Sequence, residues 1–236
     1  MMSIRFRNRA EAGQWLATEL VHYAKSEDVL VLGIPRGGVP VAFEVAQVLG
    51  VPLDVVVVRK LGVPGDTELA MGAMAFGGVR ILNESIIQQL GIAKDAVESV
   101  IWKETKELNR RELVYRRSAV PVDVHGKTVI VVDDGIATGA SMMAAIQVVK
   151  AGHPAKLVVA VPTTAYAICE DLEQQVDEFV SILHPKEFLG VAQWYEDFGQ
   201  VTDSEVTELL SRARASLPED QYDCTLSDGA DVYYEC

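Results

Sequence analysis

The chain has 236 residues, 49% hydrophobic and 23% charged, an ordinary globular profile with enough length for a sizeable core. Its formal charge of −13 argues against a general nucleic-acid or anionic-membrane surface, while leaving room for a local basic pocket. No apolar run approaches the roughly 20 residues that span a bilayer. Met1–Arg7 lacks the apolar core of a signal peptide, and Cys169, Cys224 and Cys236 show no metal-ligand spacing. These features predict a cytoplasmic protein without a disulfide framework.

Phe6, Ala10, Trp15, Leu16, Leu20 and Tyr23 stand close to helical spacing and predict an amphipathic helix from about Arg9 to Lys25, covering one face of a sheet. Val29–Ile34 reads as a strand buried on both faces, followed by Pro35-Arg36-Gly37-Gly38 and a helix from Val39 to Leu49. Glycines at such a turn allow close backbone approach, and the cation of Arg36 suits a strongly anionic group. A plain strand-to-helix turn is the alternative. Leu53–Val58 reads as a third buried strand with Arg59 and Lys60 at its end. In an open parallel sheet, ligands bind beyond the carboxyl ends of the strands, so this basic pair points to the same rim as Arg36.

Leu61–Gly78 carries five glycines and a proline, which predicts mobility at its start. Met71–Phe76 reads as a short strand pairing with Val79–Leu82 through Gly77-Gly78. Glu68 is either a metal or ligand contact or a surface residue. Asn83 suits an N-cap, and the helical pattern runs to about Arg117, broken at Gly91. Val97, Val100, Ile101, Leu108 and Leu113 lie along one face of the longer helix. Its charged face, with Lys103, Glu104, Arg110 and Arg111, reads as mostly solvated and paired at i,i+4.

Val129–Val132 is the next buried strand. Asp133 and Asp134 follow, then a small-residue turn with Gly135 and Gly139, then a helix carrying Met142, Met143, Ile146 and Val149. A strand, a Gly-rich turn and a helix N-terminus present unpaired amides and a positive dipole end to one spot, which suits phosphate. Thr138 and Ser141 add hydroxyls. Two carboxylates beside such a loop would repel phosphate unless they meet sugar hydroxyls or a metal ion. A ribose 5-phosphate group meets both demands. Neither Gly-x-x-x-x-Gly-Lys-Ser/Thr nor Gly-x-Gly-x-x-Gly occurs here.

Further on, Lys156–Pro162 and Glu178–Leu183 read as strands and Thr164–Leu172 as a helix. The β–α alternation predicts an α/β fold built on a parallel sheet, with helices on both faces and right-handed crossovers. Phe188–Phe198 is aromatic-rich and irregular. Asp203 or Ser204 is expected to cap a last helix reaching about Arg214. Beyond Ser216 the chain carries six acids from Glu219 onward and no Lys or Arg, which predicts a weakly ordered acidic tail.

Val131-Val132-Asp133-Asp134-Gly135-Ile136-Ala137-Thr138-Gly139-Ala140-Ser141 resembles the phosphoribosyl-pyrophosphate (PRPP) signature of type I phosphoribosyltransferases. The resemblance implies that Asp133 and Asp134 bind the ribose hydroxyls. Gly135, Ile136, Ala137, Thr138, Gly139, Ala140 and Ser141 would then form the 5′-phosphate loop. Ile34-Pro35-Arg36-Gly37-Gly38 resembles the family's pyrophosphate loop, where a cis peptide is frequent. Arg59 and Lys60 stand where members grip PRPP, and Leu61–Gly78 where a flexible loop closes over the site. Residues 185–215 would form a small C-terminal hood, with Phe188 and Trp194 as acceptor-stacking candidates, on a domain spanning 1–215 and followed by the tail 216–236. Mg2+ would be held at Asp133 and Asp134 through ligand or water.

The implied activity is transfer of ribose 5-phosphate from PRPP to a small, nucleobase-like acceptor, catalysed by Asp133, Asp134, Arg36 and Lys60. A homodimer, with neither nucleic acid nor membrane as partner, is expected. A non-catalytic PRPP-sensing regulator is the competing reading, and a PRPP synthetase a weaker third. Val161-Pro162-Thr163-Thr164 lacks the base-reading lysine of purine-salvage members, so the resemblance leaves the acceptor open.

Overall fold

The computed structural model describes residues 4–75, 79–116 and 123–217, with only the backbone of Thr67 and Glu68. Glu68, the Gly77-Gly78 connection and the tail beyond Leu217 therefore lie outside the described residues. The first helix, α1 (Arg9–Glu19), starts at Asn8, whose side chain accepts from the Glu11 amide, and passes into a 3-10 turn over Val21–Tyr23. It ends before the expected Lys25. The next elements are β1 (Val29–Gly33), α2 (Gly38–Leu49) and β2 (Leu53–Val55). Two further strands, β3 (Val58–Val63) and β4 (Asp66–Ala75), form a hairpin completed by β5 (Arg80–Leu82). Helices α3 (Glu84–Gln89) and α4 (Lys94–Arg116) follow, then β6 (Thr128–Val132), α5 (Ala140–Ala151), β7 (Lys156–Thr163), α6 (Cys169–Glu173), β8 (Glu178–Leu183) and α7 (Asp203–Ala215).

Among the described residues, β2-β1-β6-β7-β8 form one parallel sheet in that order. Its strands alternate between two cores. Val29, Val31, Ile130, Val132, Val158 and Ala160 pack with α1, α2 and α7 on one face. Leu30, Leu32, Val129, Val131, Leu157, Val159 and Val161 pack with α5 and α6 on the other. Each such fully buried side chain contributes about 1.5–3 kcal/mol of transfer free energy. The two-faced parallel sheet predicted from the apolar runs is therefore present. The strand order reverses direction at β1 and β6, and a parallel sheet opens its ligand crevice at such a reversal.

The run Leu53–Val58 is not one strand. Val56 still donates to the Gly33 carbonyl at 3.1 Å, but β1 ends at Gly33, where the Pro35 loop departs. With no partner strand beyond that point, the chain leaves the sheet and Val58 pairs antiparallel with Ala75. Arg59 and Lys60 thus sit inside a separate three-stranded sheet, not at the end of a central strand. Residues 61–75 are strand and tight turn, because Pro64-Gly65 reverses the chain and lets β3 and β4 pair along their length. The expected pairing of residues 71–75 with 79–82 is observed as β4 with β5. Thr202, not Asp203 or Ser204, caps α7, through a reciprocal capping box with Glu205. The expected helix over 164–172 is reduced to a 3-10 turn and the short α6.

Candidate functional site

The signature stretch leaves the carboxyl end of β6, the central strand, with β1 and β7 hydrogen-bonded on either side. Asp133 and Asp134 are half-buried at this crevice. The loop after them is stitched to β7: the Ile136 amide donates to the Thr163 carbonyl at 2.9 Å, and the Ala165 amide to the Ile136 carbonyl at 3.0 Å. Gly139 takes a φ of +76° and turns the chain into α5, a conformation open to glycine at little cost. The first amides of α5 have no carbonyl one turn behind them. Ala137, Thr138 and Ser141 are exposed beside them.

The second loop, Ile34–Gly38, closes directly onto the acid pair. The Ile34 amide donates to the Val132 carbonyl at 2.9 Å, and the expected Pro35–Arg36 peptide is cis. A Cβ on Gly37 would lie 2.0 Å from Asp134 Oδ2, and one on Gly38 would lie 2.7 Å from the Val132 carbonyl and 3.0 Å from Asp133 Oδ1. Neither position has room for a side chain. The two loops that the sequence places 97 residues apart, from Arg36 to Asp133, are one surface.

The acids carry partners that the sequence reading did not foresee. Arg9, the first residue of α1, donates from Nε to Asp134 Oδ2 at 2.8 Å and from Nη1 to the Gly199 carbonyl at 2.8 Å. Its guanidinium carbon lies 3.8 Å from the centre of the Phe198 ring. Tyr195 donates from its hydroxyl to the Asp134 carbonyl at 2.6 Å. The Asp134 amide donates to Asp133 Oδ1 at 2.8 Å. Burial and the neighbouring Asp134 charge push the Asp133 carboxyl well above the usual carboxylate range. Burial also raises Asp134, and Arg9 opposes that rise. Burial thus disfavours full ionisation of the pair, and Arg9 offsets this only in part. Arg9 stands 125 residues from its partner, and nothing in a helix-opening Arg signals such a reach.

The basic residues are held differently. Arg59 donates from Nε to Glu104 on α4 at 2.7 Å. Arg36 Nη1 stands 3.8 Å from Asp203 Oδ1 at the start of α7, and the same carboxylate accepts from Tyr115 at 2.7 Å and lies 3.4 Å from Arg110. Arg36 thus turns toward α7 and α4, while Arg59 and Lys60 line a cleft of about 600 Å3 that also touches Ile34, Pro35 and Ser141. Lys60 borders a second cleft of about 460 Å3 between β4, β5 and α5.

The hood candidates meet: the Phe188 and Trp194 rings stack at 6.2 Å with a 25° tilt and line a cleft of about 540 Å3 beside Arg5. Trp194 Nε1 is buried with no acceptor among the described residues. The 3-10 turn over Val191–Trp194 approaches the signature loop so closely that a Cβ on Gly135 would lie 2.6 Å from Val191 Cγ1. Thr163 and Thr164 are both 0% exposed, so the end of β7 presents no side chain to a ligand.

Hard carboxylate oxygens suit Mg2+. Here Asp134 Oδ2 is engaged by Arg9 and Asp133 Oδ1 by an amide, and the described residues contain no group of three or more potential metal ligands. The donor set fits an ion held largely by oxygens of a bound ligand and by water, with Asp133 and Asp134 as its protein side.

A family profile described as the phosphoribosyl transferase domain matches residues 7–183. The chain belongs to the phosphoribosyl transferase family. Two Mycobacterium tuberculosis relatives, from strains CDC 1551 / Oshkosh and H37Rv and each named "Putative phosphoribosyl transferase", are 44% identical over 214 residues. That match covers 91% of this chain and 48% of each relative, so the chain spans about half the length of these curated relatives. The crystal structure of TT1426 from Thermus thermophilus is 41% identical, covers 89% of this chain and 99% of its own, and superposes with a TM-score of 0.81. The parallel five-stranded sheet is thus the type I phosphoribosyltransferase architecture. Among the described residues, no helix is long and apolar enough to cross a membrane.

Proposed function

We propose that the chain binds PRPP with Mg2+ and transfers its ribose 5-phosphate to a nucleobase-like acceptor, releasing pyrophosphate. The observation that carries this reading is the meeting of three features at one crevice: a half-buried acid pair whose ionised form is disfavoured, a phosphate-type loop entering α5, and a glycine loop pressed onto the acids. Asp133 and Asp134 accept from the ribose hydroxyls and fix the ring. Amides from 137 to 141, with Thr138 and Ser141, hold the 5′-phosphate. When the anomeric bond breaks, positive charge grows on the ring and negative charge on the leaving diphosphate, so catalysis is chiefly positioning and electrostatics. The acid pair lies on the side where cationic character grows, and Arg36, Arg59 and Lys60 stabilise the departing anion. Bound Mg2+ supplies further neutralisation of that anion.

The acceptor is read by the hood. The buried Thr163 and Thr164 leave Phe188 and Trp194 as the surface on which a planar base stacks. The test is pyrophosphate release from PRPP and Mg2+ across a panel of purine and pyrimidine bases. One base is expected to support turnover, and Asp133→Ala with Asp134→Ala to reduce it by roughly 10³-fold or more. Tight PRPP binding without turnover on any base would instead support a PRPP-sensing role.

A further inference from the structure

The cleft beneath the Ile34–Gly38 loop has a wall that the family signature does not supply. Helix α4 turns the face carrying Val100, Glu104 and Arg111 toward it, at i, i+4 and i+11 spacing, and Lys103 stands beside Glu104 on the same rim. The charged side of α4 is thus not simply solvated: part of it lines a cavity that Arg59 and Lys60 also line. Arg59, Lys60, Lys103 and Arg111 line the cleft together with the carboxylate of Glu104. Glu104 is already engaged by Arg59 at 2.7 Å, and Arg111 is anchored at Nε by Glu107 at 2.8 Å. Lys103 is exposed. The cleft touches both ligand loops, at Pro35 and at Ser141, so a group bound in it is continuous with one held by the signature. Planar guanidinium forks with ammonium groups are the donors that diphosphates take.

We infer that α4 supplies half of the pyrophosphate subsite, with Lys103 and Arg111 contacting the diphosphate directly alongside Arg59 and Lys60, and with Glu104 as an internal competitor for Arg59. The inference rests on the PRPP reading above and deepens it, because it assigns binding of the leaving group to a helix outside the signature loops. The two halves of the ligand are separable in solution. Calorimetric titration of the full chain with inorganic pyrophosphate and, separately, with ribose 5-phosphate would be compared for the wild type, Lys103→Ala, Arg111→Gln, the double variant and Glu104→Gln.

The expected result is about tenfold weaker pyrophosphate binding in each single variant and about a hundredfold in the double. Ribose 5-phosphate stays within twofold, and Glu104→Gln tightens pyrophosphate about threefold. A double variant that binds pyrophosphate within twofold of wild type overturns the inference. So do equal losses for both ligands, and Glu104→Gln weakening pyrophosphate overturns the competitor role. A wild type that binds ribose 5-phosphate but not pyrophosphate overturns this subsite alone, whereas one that binds neither overturns the PRPP reading as well.

Discussion

The acidic and basic halves of the crevice are built on opposite plans. Asp133 and Asp134 end a strand with no solvent on either face, and every neighbour fixes them: Arg9 and Tyr195 from the two ends of the chain, and two glycines pressed against their carboxylates. Arg36, Arg59 and Lys60 stand on loop and hairpin; Arg36 meets Asp203 of α7 across 3.8 Å with both side chains partly exposed, while Arg59 is held by Glu104 of α4. A half-buried charge pinned by an Arg is expensive to disturb, while a partly exposed pair exchanges its counterion cheaply. The rigid half is suited to orienting a ribose ring. The exchangeable half is suited to receiving an anion and releasing it.

That contrast can be broken most severely at Gly38. A Cβ there meets backbone, 2.7 Å from the Val132 carbonyl and 2.8 Å from Asp133 Cα, and backbone cannot step aside. Gly38→Ala should weaken ribose 5-phosphate binding by roughly a hundredfold or more, measured by calorimetry, because small misplacements at such sites cost about that much. Arg9→Met comes next. Its guanidinium and the Asp134 carboxylate are 12% and 13% exposed, and stranding one partner of such a pair costs about 3 kcal/mol. A thermal melt should fall by about 6–12 °C, with Arg9→Lys intermediate.

Asp133→Asn should move stability the other way in the ligand-free protein. A carboxyl whose folded pKa is raised opposes folding when ionised, and this penalty fades as pH falls toward its unfolded value near 4. The variant should therefore gain stability over wild type at pH 8, by about 1 kcal/mol, and less at pH 5, while losing ribose 5-phosphate binding. On the basic side, Arg36→Ala should leave the melting temperature within about 2 °C, since its pair with Asp203 spans 3.8 Å with side chains 37% and 29% exposed, and partly exposed pairs contribute less than about 1 kcal/mol. Pyrophosphate affinity should nevertheless fall. A large loss of stability there would erase the distinction between the halves.

The acidic half was legible in the sequence because its information is local. Apolar residues 129–132, and Gly135 and Gly139 at a helix start, dictate strand and turn within a dozen positions and put the two acids between them. Its supports were not legible. Arg9 reaches Asp134 through the stacking of α1 and the hood, and a helix-opening Arg looks the same whether it meets solvent or a carboxylate. The valines from 55 to 58 signal strand without naming a partner, so the exit from the central sheet at Val56 was invisible, and with it the true setting of Arg59 and Lys60. The charged face of α4 reads as solvated by composition. Only the packing of the hairpin against it turns Lys103, Glu104 and Arg111 toward a cleft.

The central claim is that the acid pair and the loop after it hold the ribose 5-phosphate end of PRPP. Isothermal titration of PRPP with Mg2+ into the wild type and into Asp133→Ala/Asp134→Ala tests it most directly. The account predicts saturable binding by the wild type and at least a hundredfold loss in the double variant, with the fold retained by circular dichroism. No binding by the wild type, or equal affinity in the two proteins, would contradict it.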